Sequence, residues 1–176
     1  MRLALGLSMH TGWAAAAVAG GDFDTPVVVA REHVELLDED ERFVFHKAAE
    51  MALGDARAWV EGARSRAIER AAAVMRRLAG AHGLRACAVV AKEGRALALA
   101  EVVAAHPRIH AGEGHFYRDV LCEAAEAAGM RAAVISPRAL DARDPRLVHV
   151  GRVVGKPWSA DWKLAVLAAW TVSSQV

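Results

Sequence analysis

The stretch RLALGLSMHTGWAAAAVAGG, residues 2–21, decides the fold of this 176-residue chain. Residues 2–9 are an apolar run that ends in polar residues, which is typical of a buried strand. Residues 10–12 supply a tight turn and residues 13–19 form a second apolar run, so the two runs predict an antiparallel hairpin. The run of four alanines at 14–17 argues against a strand, because alanine intrinsically favours helix.

The rest of the sequence continues as one further strand and then as alternating helices and strands. Residues 25–36 are rich in valine and begin with a proline, which an edge strand tolerates. Helical periodicity or a compact apolar run then predicts helix 56–81, strand 85–91, helix 97–105, helix 113–128, strand 131–135 and helix 159–172. Residues 136–156 carry no clear pattern. The order βββ-α-β-α-β-α predicts an α/β protein with a mixed sheet covered by helices.

Composition restricts the class of protein. The length predicts a single domain over residues 1–176. The net charge of +1 excludes a general attraction to nucleic acid or to anionic membranes. The two cysteines, Cys87 and Cys122, lie in apolar segments without a CxxC motif, so we expect reduced thiols and a cytoplasmic protein. Polar residues interrupt the N-terminal apolar stretch, which argues against a signal peptide, and no apolar run is long enough to cross a membrane.

The opening resembles the ribonuclease H-like superfamily in two short motifs. Gly6-Leu7-Ser8 lies where that fold has the end of its first strand, and Thr11-Gly12-Trp13-Ala14 is similar to the entry into its second strand. These two motifs are most similar to those of the branch that includes bacterial Holliday junction resolvases. The matching letters cover about nine residues, whereas the shared order of elements covers most of the chain.

The resemblance implies a two-metal centre for phosphodiester cleavage, in which carboxylates hold Mg²⁺ or Mn²⁺. Carried over by position, the ligand set is Ser8, Glu93 and Asp161. Glu93 and Asp161 are acidic, but Ser8 stands where the resemblance implies an aspartate that bridges the two metals. This departure predicts a catalytically degenerate protein that acts as a binding or assembly module. Nucleic acid or protein are the expected partners, and a homodimer is compatible with the sequence.

Two alternatives stay open. The first is a metal-dependent phosphoester hydrolase whose relocated site uses Ser8, His10, Glu93, Glu113 and Asp161. Ser8 and His10 lie on the same face of the predicted first strand, so they also form a candidate catalytic pair. The second alternative is a nucleotide-binding relative of the actin-like proteins, although the sequence has no glycine-rich phosphate loop.

Residues 106–115 are the densest group of reactive side chains in the sequence. We interpret the segment as a candidate binding site formed by His106, His110, Glu113, His115 and the nearby Arg118. Imidazole and carboxylate groups are transition-metal ligands. Pro107 argues against a regular helix that carries both His106 and His110, so residues 106–112 are predicted to be a loop, with Glu113 at the start of the following helix.

Overall fold

The computed structural model of the protein describes residues 1–22 and 24–174. Within those residues, the strands are β1 (Leu3–His10), β2 (Trp13–Asp22), β3 (Thr25–Glu35), β4 (Ala86–Val90) and β5 (Arg131–Ile135). They form one sheet in the spatial order β3-β2-β1-β4-β5. The first three strands are antiparallel, and β4 runs parallel to both β1 and β5. The predicted mixed sheet is therefore confirmed.

The helices in the described part of the chain are α1 (Val44–Ala48), α2 (Leu53–His82), α3 (Leu99–Val103), α4 (His106–Ala127), α5 (Leu147–Val154) and α6 (Ala160–Ser173). One of them, α5, lies within residues 136–156, where the sequence shows no clear pattern. The predicted loop over residues 106–112 is wrong, because α4 already begins at His106. Pro107 lies in the first turn of α4, where the backbone N–H groups have no partner inside the helix and proline is tolerated.

The alanine-rich β2 is a strand because helices cover both of its faces. Ala14, Ala16 and Val18 belong to the core that contains the buried residues of α2 and α4. Ala17 and Ala19 belong to a second cluster, with buried residues of α6. Small side chains let a helix approach the sheet closely on each side, so tertiary packing overrides the helix propensity of alanine.

The backbones of β1 and α6 lie very close together at Gly6. A Cβ atom added at Gly6 would lie 1.9 Å from the carbonyl oxygen of Ala165 and 2.7 Å from the backbone nitrogen of Ala169. Only glycine fits at this position without moving backbone atoms. Gly6 therefore fixes how closely α6 lies against β1, and with it the position of the first turn of α6.

The arginines of α2 are mostly neutralised by acidic neighbours, as expected for a solvated helix face. The ion pairs join Arg64 to Glu123, Arg66 to Glu41, Arg70 to Asp38 and Arg77 to Glu32. The Arg70 guanidinium lowers the pKa of Asp38 through a side-chain hydrogen bond. Among the described residues, every helix is too short or too polar to span a lipid bilayer.

Candidate functional site

An open cleft of about 670 Å³ lies at the carboxyl ends of β1 and β4. The two strands are parallel and Ser8 lies beside Val90, so both strands end at the same edge of the sheet. The first turn of α6 and one face of α4 form the other walls. Its polar lining consists of Ser8, His10, Lys92, Glu93, His110, His115 and Asp161.

The four residues predicted to be catalytic all line this cleft. Ser8 is buried, with 4% of its surface exposed, at the base of the cleft. No hydrogen bond joins it to His10 or to any other side chain in the described part of the chain, so the two residues are not arranged as a nucleophile and its base. Glu93 lies on the exposed segment that follows β4.

His10 and Asp161 form a hydrogen bond in the cleft. Nε2 of His10 lies 2.8 Å from Oδ1 of Asp161, which joins the end of β1 to the first turn of α6. The imidazole of His10 also stacks on Trp13 with ring centroids 4.1 Å apart, and Trp13 stacks in turn on His33 at 4.5 Å. The pair and the stack together fix the orientation of the His10 ring.

Arg118, predicted to bind a ligand, instead holds the segment after β4 in place. Its guanidinium donates a hydrogen bond to the carbonyl oxygen of Gly94 at 2.9 Å and forms an ion pair with Asp119 at 2.8 Å. His115 lies against the same segment, since a Cβ added at Gly94 would be 2.6 Å from its Nε2. These contacts connect Glu93, one residue before Gly94, to α4.

Three histidines meet at the rim of the cleft. His106 and His110 lie one turn apart on α4, and their Nε2 atoms are 3.0 Å apart. His46 of α1 packs against both, with ring centroids 5.5 Å from His106 and 4.9 Å from His110. One nitrogen of each ring lies within 4.8 Å of the others. Sequence analysis missed His46, because it lies 60 residues before His106 in the chain.

Glu113 does not line the cleft. It is buried inside α4 rather than at a helix start, and its Oε1 accepts a hydrogen bond from the backbone N–H of Phe45 at 2.8 Å. Oε1 also lies 3.3 Å from Nδ1 of His46. Phe43 precedes α1 and supplies no side-chain cap, so Glu113 satisfies the free N–H groups of this helix instead.

Burial also changes the pKa of Glu113. Its other oxygen, Oε2, is buried and has no hydrogen-bond partner among the described residues. Burial raises the pKa of Glu113 above its ordinary value, and the hydrogen bonds from Phe45 and His46 oppose that shift. The prediction that Glu113 begins a helix is wrong, because this residue lies in the interior of α4. Its carboxylate instead caps a different helix, α1, through a tertiary contact.

Solved structures with a similar fold identify the class of fold. "T. thermophilus RuvC in complex with Holliday junction substrate" has a TM-score of 0.57 and 14% sequence identity, over 96% of this chain and 90% of that chain. "Thermus thermophilus RuvC structure" has a TM-score of 0.54 and 12% identity, over 95% and 90%. No protein-family model and no curated protein matches the sequence. At this identity the similarity confirms the ribonuclease H-like fold alone.

Proposed function

We propose that the chain is a catalytically degenerate ribonuclease H-like protein that binds nucleic acid at the cleft without cleaving it by a two-metal reaction. The supporting observation is the set of potential metal ligands at the carboxyl ends of β1 and β4 and at the start of α6. Ser8 offers a neutral hydroxyl where the fold relationship implies a bridging carboxylate. Asp161 already lies 2.8 Å from His10.

The donor set therefore does not fit a paired Mg²⁺ centre. Mg²⁺ prefers charged and neutral oxygen ligands in near-octahedral geometry, and two adjacent divalent ions need shared carboxylates. Only Glu93 is left as an uncommitted carboxylate on the cleft. Within the described residues, the only group of three donors close enough to hold one ion is His46, His106 and His110, which contains none of the predicted Mg²⁺ ligands.

The edge of the cleft has groups that suit a phosphate backbone. Lys92 lines the cleft and Arg95 follows it closely on the same exposed segment. Neither side chain forms an ion pair within the described residues, whereas most arginines of α2 do. RuvC, a protein of the same fold, has been solved with a Holliday junction substrate. These observations favour structured nucleic acid over the other partners compatible with the sequence.

Binding and cleavage are tested in one experiment with four-way, duplex and single-stranded DNA. We expect fluorescence anisotropy to show binding that weakens with salt, and gels to show no cleavage in Mg²⁺ or Mn²⁺. The double variant Lys92→Ala/Arg95→Ala removes two cations. We plot the logarithm of the binding constant against the logarithm of the salt concentration and expect the slope to become shallower by the contribution of about two phosphate contacts. The matched control is Arg57→Ala/Arg76→Ala, which removes two exposed arginines from α2.

Three results would overturn the proposal. The first is metal-dependent cleavage that Glu93→Ala abolishes, since the cleft would then be an active nuclease centre. The second is equal loss of binding in both double variants, and the third is no binding at all.

The relocated hydrolase has less support from the geometry. Ser8, His10, Glu93 and Asp161 do share one cleft, but Glu113, the fifth member of that predicted set, points into the core. The hydrolase and the nucleotide-binding alternative stay predictions.

A further inference from the structure

We propose that His46, His106 and His110 form a binding site for one transition-metal ion of the Zn²⁺ type, which links α1 to the first turn of α4. This site is separate from the predicted Mg²⁺ ligands Glu93 and Asp161. It is also independent of the proposed nucleic-acid binding.

The distances between the three rings suit a shared ion. A tetrahedral Zn²⁺ with Zn–N distances of about 2.0–2.1 Å places its nitrogen ligands roughly 3.3 Å apart. The Nε2 atoms of His106 and His110 are 3.0 Å apart, and the donor of His46 lies within 4.8 Å of both. Two imidazole nitrogens at 3.0 Å must share either one proton or one metal ion, because two N–H groups at that distance repel each other.

Two of the proposed ligands lie on the same face of one helix. His106 and His110 are four residues apart, so they project from one face of α4, one above the other. Pro107 fixes the backbone between them at the start of the helix. The N-cap residue Ala105 has no side chain that can cap the helix, so a metal ion across this turn would stabilise a helix end that lacks a cap.

Glu113 supplies the second independent observation. Metal-bound histidines usually hold a carboxylate with their other ring nitrogen, which fixes the tautomer and raises the basicity of the ligand. Oε1 of Glu113 lies 3.3 Å from Nδ1 of His46, which leaves Nε2 of His46 as the metal ligand. Among the described residues, its Oε2 is buried without a hydrogen-bond partner. A metal ion on His46 would add positive charge beside this buried carboxylate, which contacts the ring of that ligand.

The exposure of the three histidines indicates which kind of zinc site they would form. His106 and His110 are exposed and His46 is half-buried, so an ion held by the three rings would be accessible to water as a fourth ligand. Three protein ligands with an open fourth position distinguish exchangeable or reactive zinc sites from closed structural ones. His110 also lines the cleft, so an ion here would lie at the rim of the candidate nucleic-acid site.

Zn²⁺ binding is tested on the protein without a histidine tag, by isothermal titration calorimetry. Visible absorption of tetrahedral Co²⁺ gives the coordination geometry. We expect one ion per chain, a Co²⁺ spectrum of tetrahedral type and a higher melting temperature with Zn²⁺. His46→Gln, His106→Gln and His110→Gln should each lower the Zn²⁺ affinity at least tenfold. His149→Gln, which removes an exposed histidine from α5, should leave it unchanged.

Glu113→Gln tests the carboxylate while it keeps an acceptor for the N–H of Phe45. We expect its Zn²⁺ affinity to fall by about 10- to 100-fold, with circular dichroism unchanged. Two results would overturn the proposal. If His46→Gln binds Zn²⁺ as tightly as the unmodified protein, the ion uses only an exposed histidine pair. If no stoichiometric binding occurs at micromolar Zn²⁺, the cluster is not a metal site.

Discussion

Nε2 of His10 lies 2.8 Å from Oδ1 of Asp161, although 151 residues separate them in the sequence. Both side chains are about a third exposed, so solvent screens the pair and its contribution to stability is small. We expect His10→Ala and Asp161→Asn to show a coupling energy of about 1 kcal/mol or less in a double-mutant cycle. Urea unfolding of the four proteins measures it. A coupling well above 1 kcal/mol would contradict the expectation that solvent screens this pair.

Restoring a carboxylate at position 8 tests the missing metal ligand directly. Ser8→Asp places a negative charge between Glu93 and Asp161, and we expect it to create Mn²⁺ binding that the unmodified protein lacks in the cleft. Electron paramagnetic resonance of Mn²⁺ measures the binding. Ser8→Asn is the matched control, because it adds nearly the same volume without the charge. Mn²⁺ binding in the cleft of the unmodified protein that is as tight as in Ser8→Asp would contradict the proposed degeneracy.

Gly6 and Gly80 give opposite predictions for the same substitution. A methyl group at Gly6 would overlap the backbone of α6, so we expect Gly6→Ala to destabilise the protein by roughly 3 kcal/mol or to prevent folding. A methyl group at Gly80 meets no atom within 4 Å inside α2, so Gly80→Ala should stabilise by about 0.5–1 kcal/mol. Denaturant unfolding compares both variants. A stable, well-folded Gly6→Ala protein would show that β1 and α6 are not in close contact.

Cys87 gives a prediction about alkaline pH. Burial, and to a lesser extent the nearby Cys122, raise the pKa of its thiol above the ordinary value of 9.0. The unfolded chain therefore loses this proton at a lower pH than the folded chain. The free energy of unfolding should consequently fall as the pH rises above about 9. Chemical denaturation of the unmodified protein and Cys87→Ala between pH 7 and pH 10 measures the difference. Equal slopes in the two proteins would mean that the thiol is accessible in the folded state.

The same burial protects Cys87 from reagents. Cys122 is half-buried and its pKa is also raised by burial. We expect a thiol reagent to modify Cys122 first in the folded protein, and both residues quickly in urea, as intact mass spectrometry would show.

The succession of strands and helices along the chain could largely be predicted because its signals are local. The hairpin at residues 2–19 is defined by two apolar runs and a glycine turn, and the third strand by its valines. The four alanines of β2 were the ambiguous part. Their state depends on helices packed against both faces, which no window of sequence contains.

The candidate cleft could be predicted in part, for a topological reason. Strands that run parallel end at one edge of a sheet, so Ser8 and Glu93 were expected near each other and near Asp161. The histidine cluster could not be predicted, because it needs α1, a five-residue helix that Glu113 caps from another helix. Pro107 was misleading since its effect depends on whether it lies in the first turn of a helix or further inside.

The contact between Gly6 and Ala165 also constrains how the chain can reach its folded state during synthesis. β1 is the central strand, and the helix that covers one of its faces comes after all five strands in the chain, so it is synthesised after the sheet. Until residues 160–173 are available, Ala4, Ala17 and Ala19 lack the buried side chains of α6 that pack with them on that side of the sheet. A nascent chain that lacks them exposes the middle of its sheet, which makes it a substrate for chaperones and a source of aggregation.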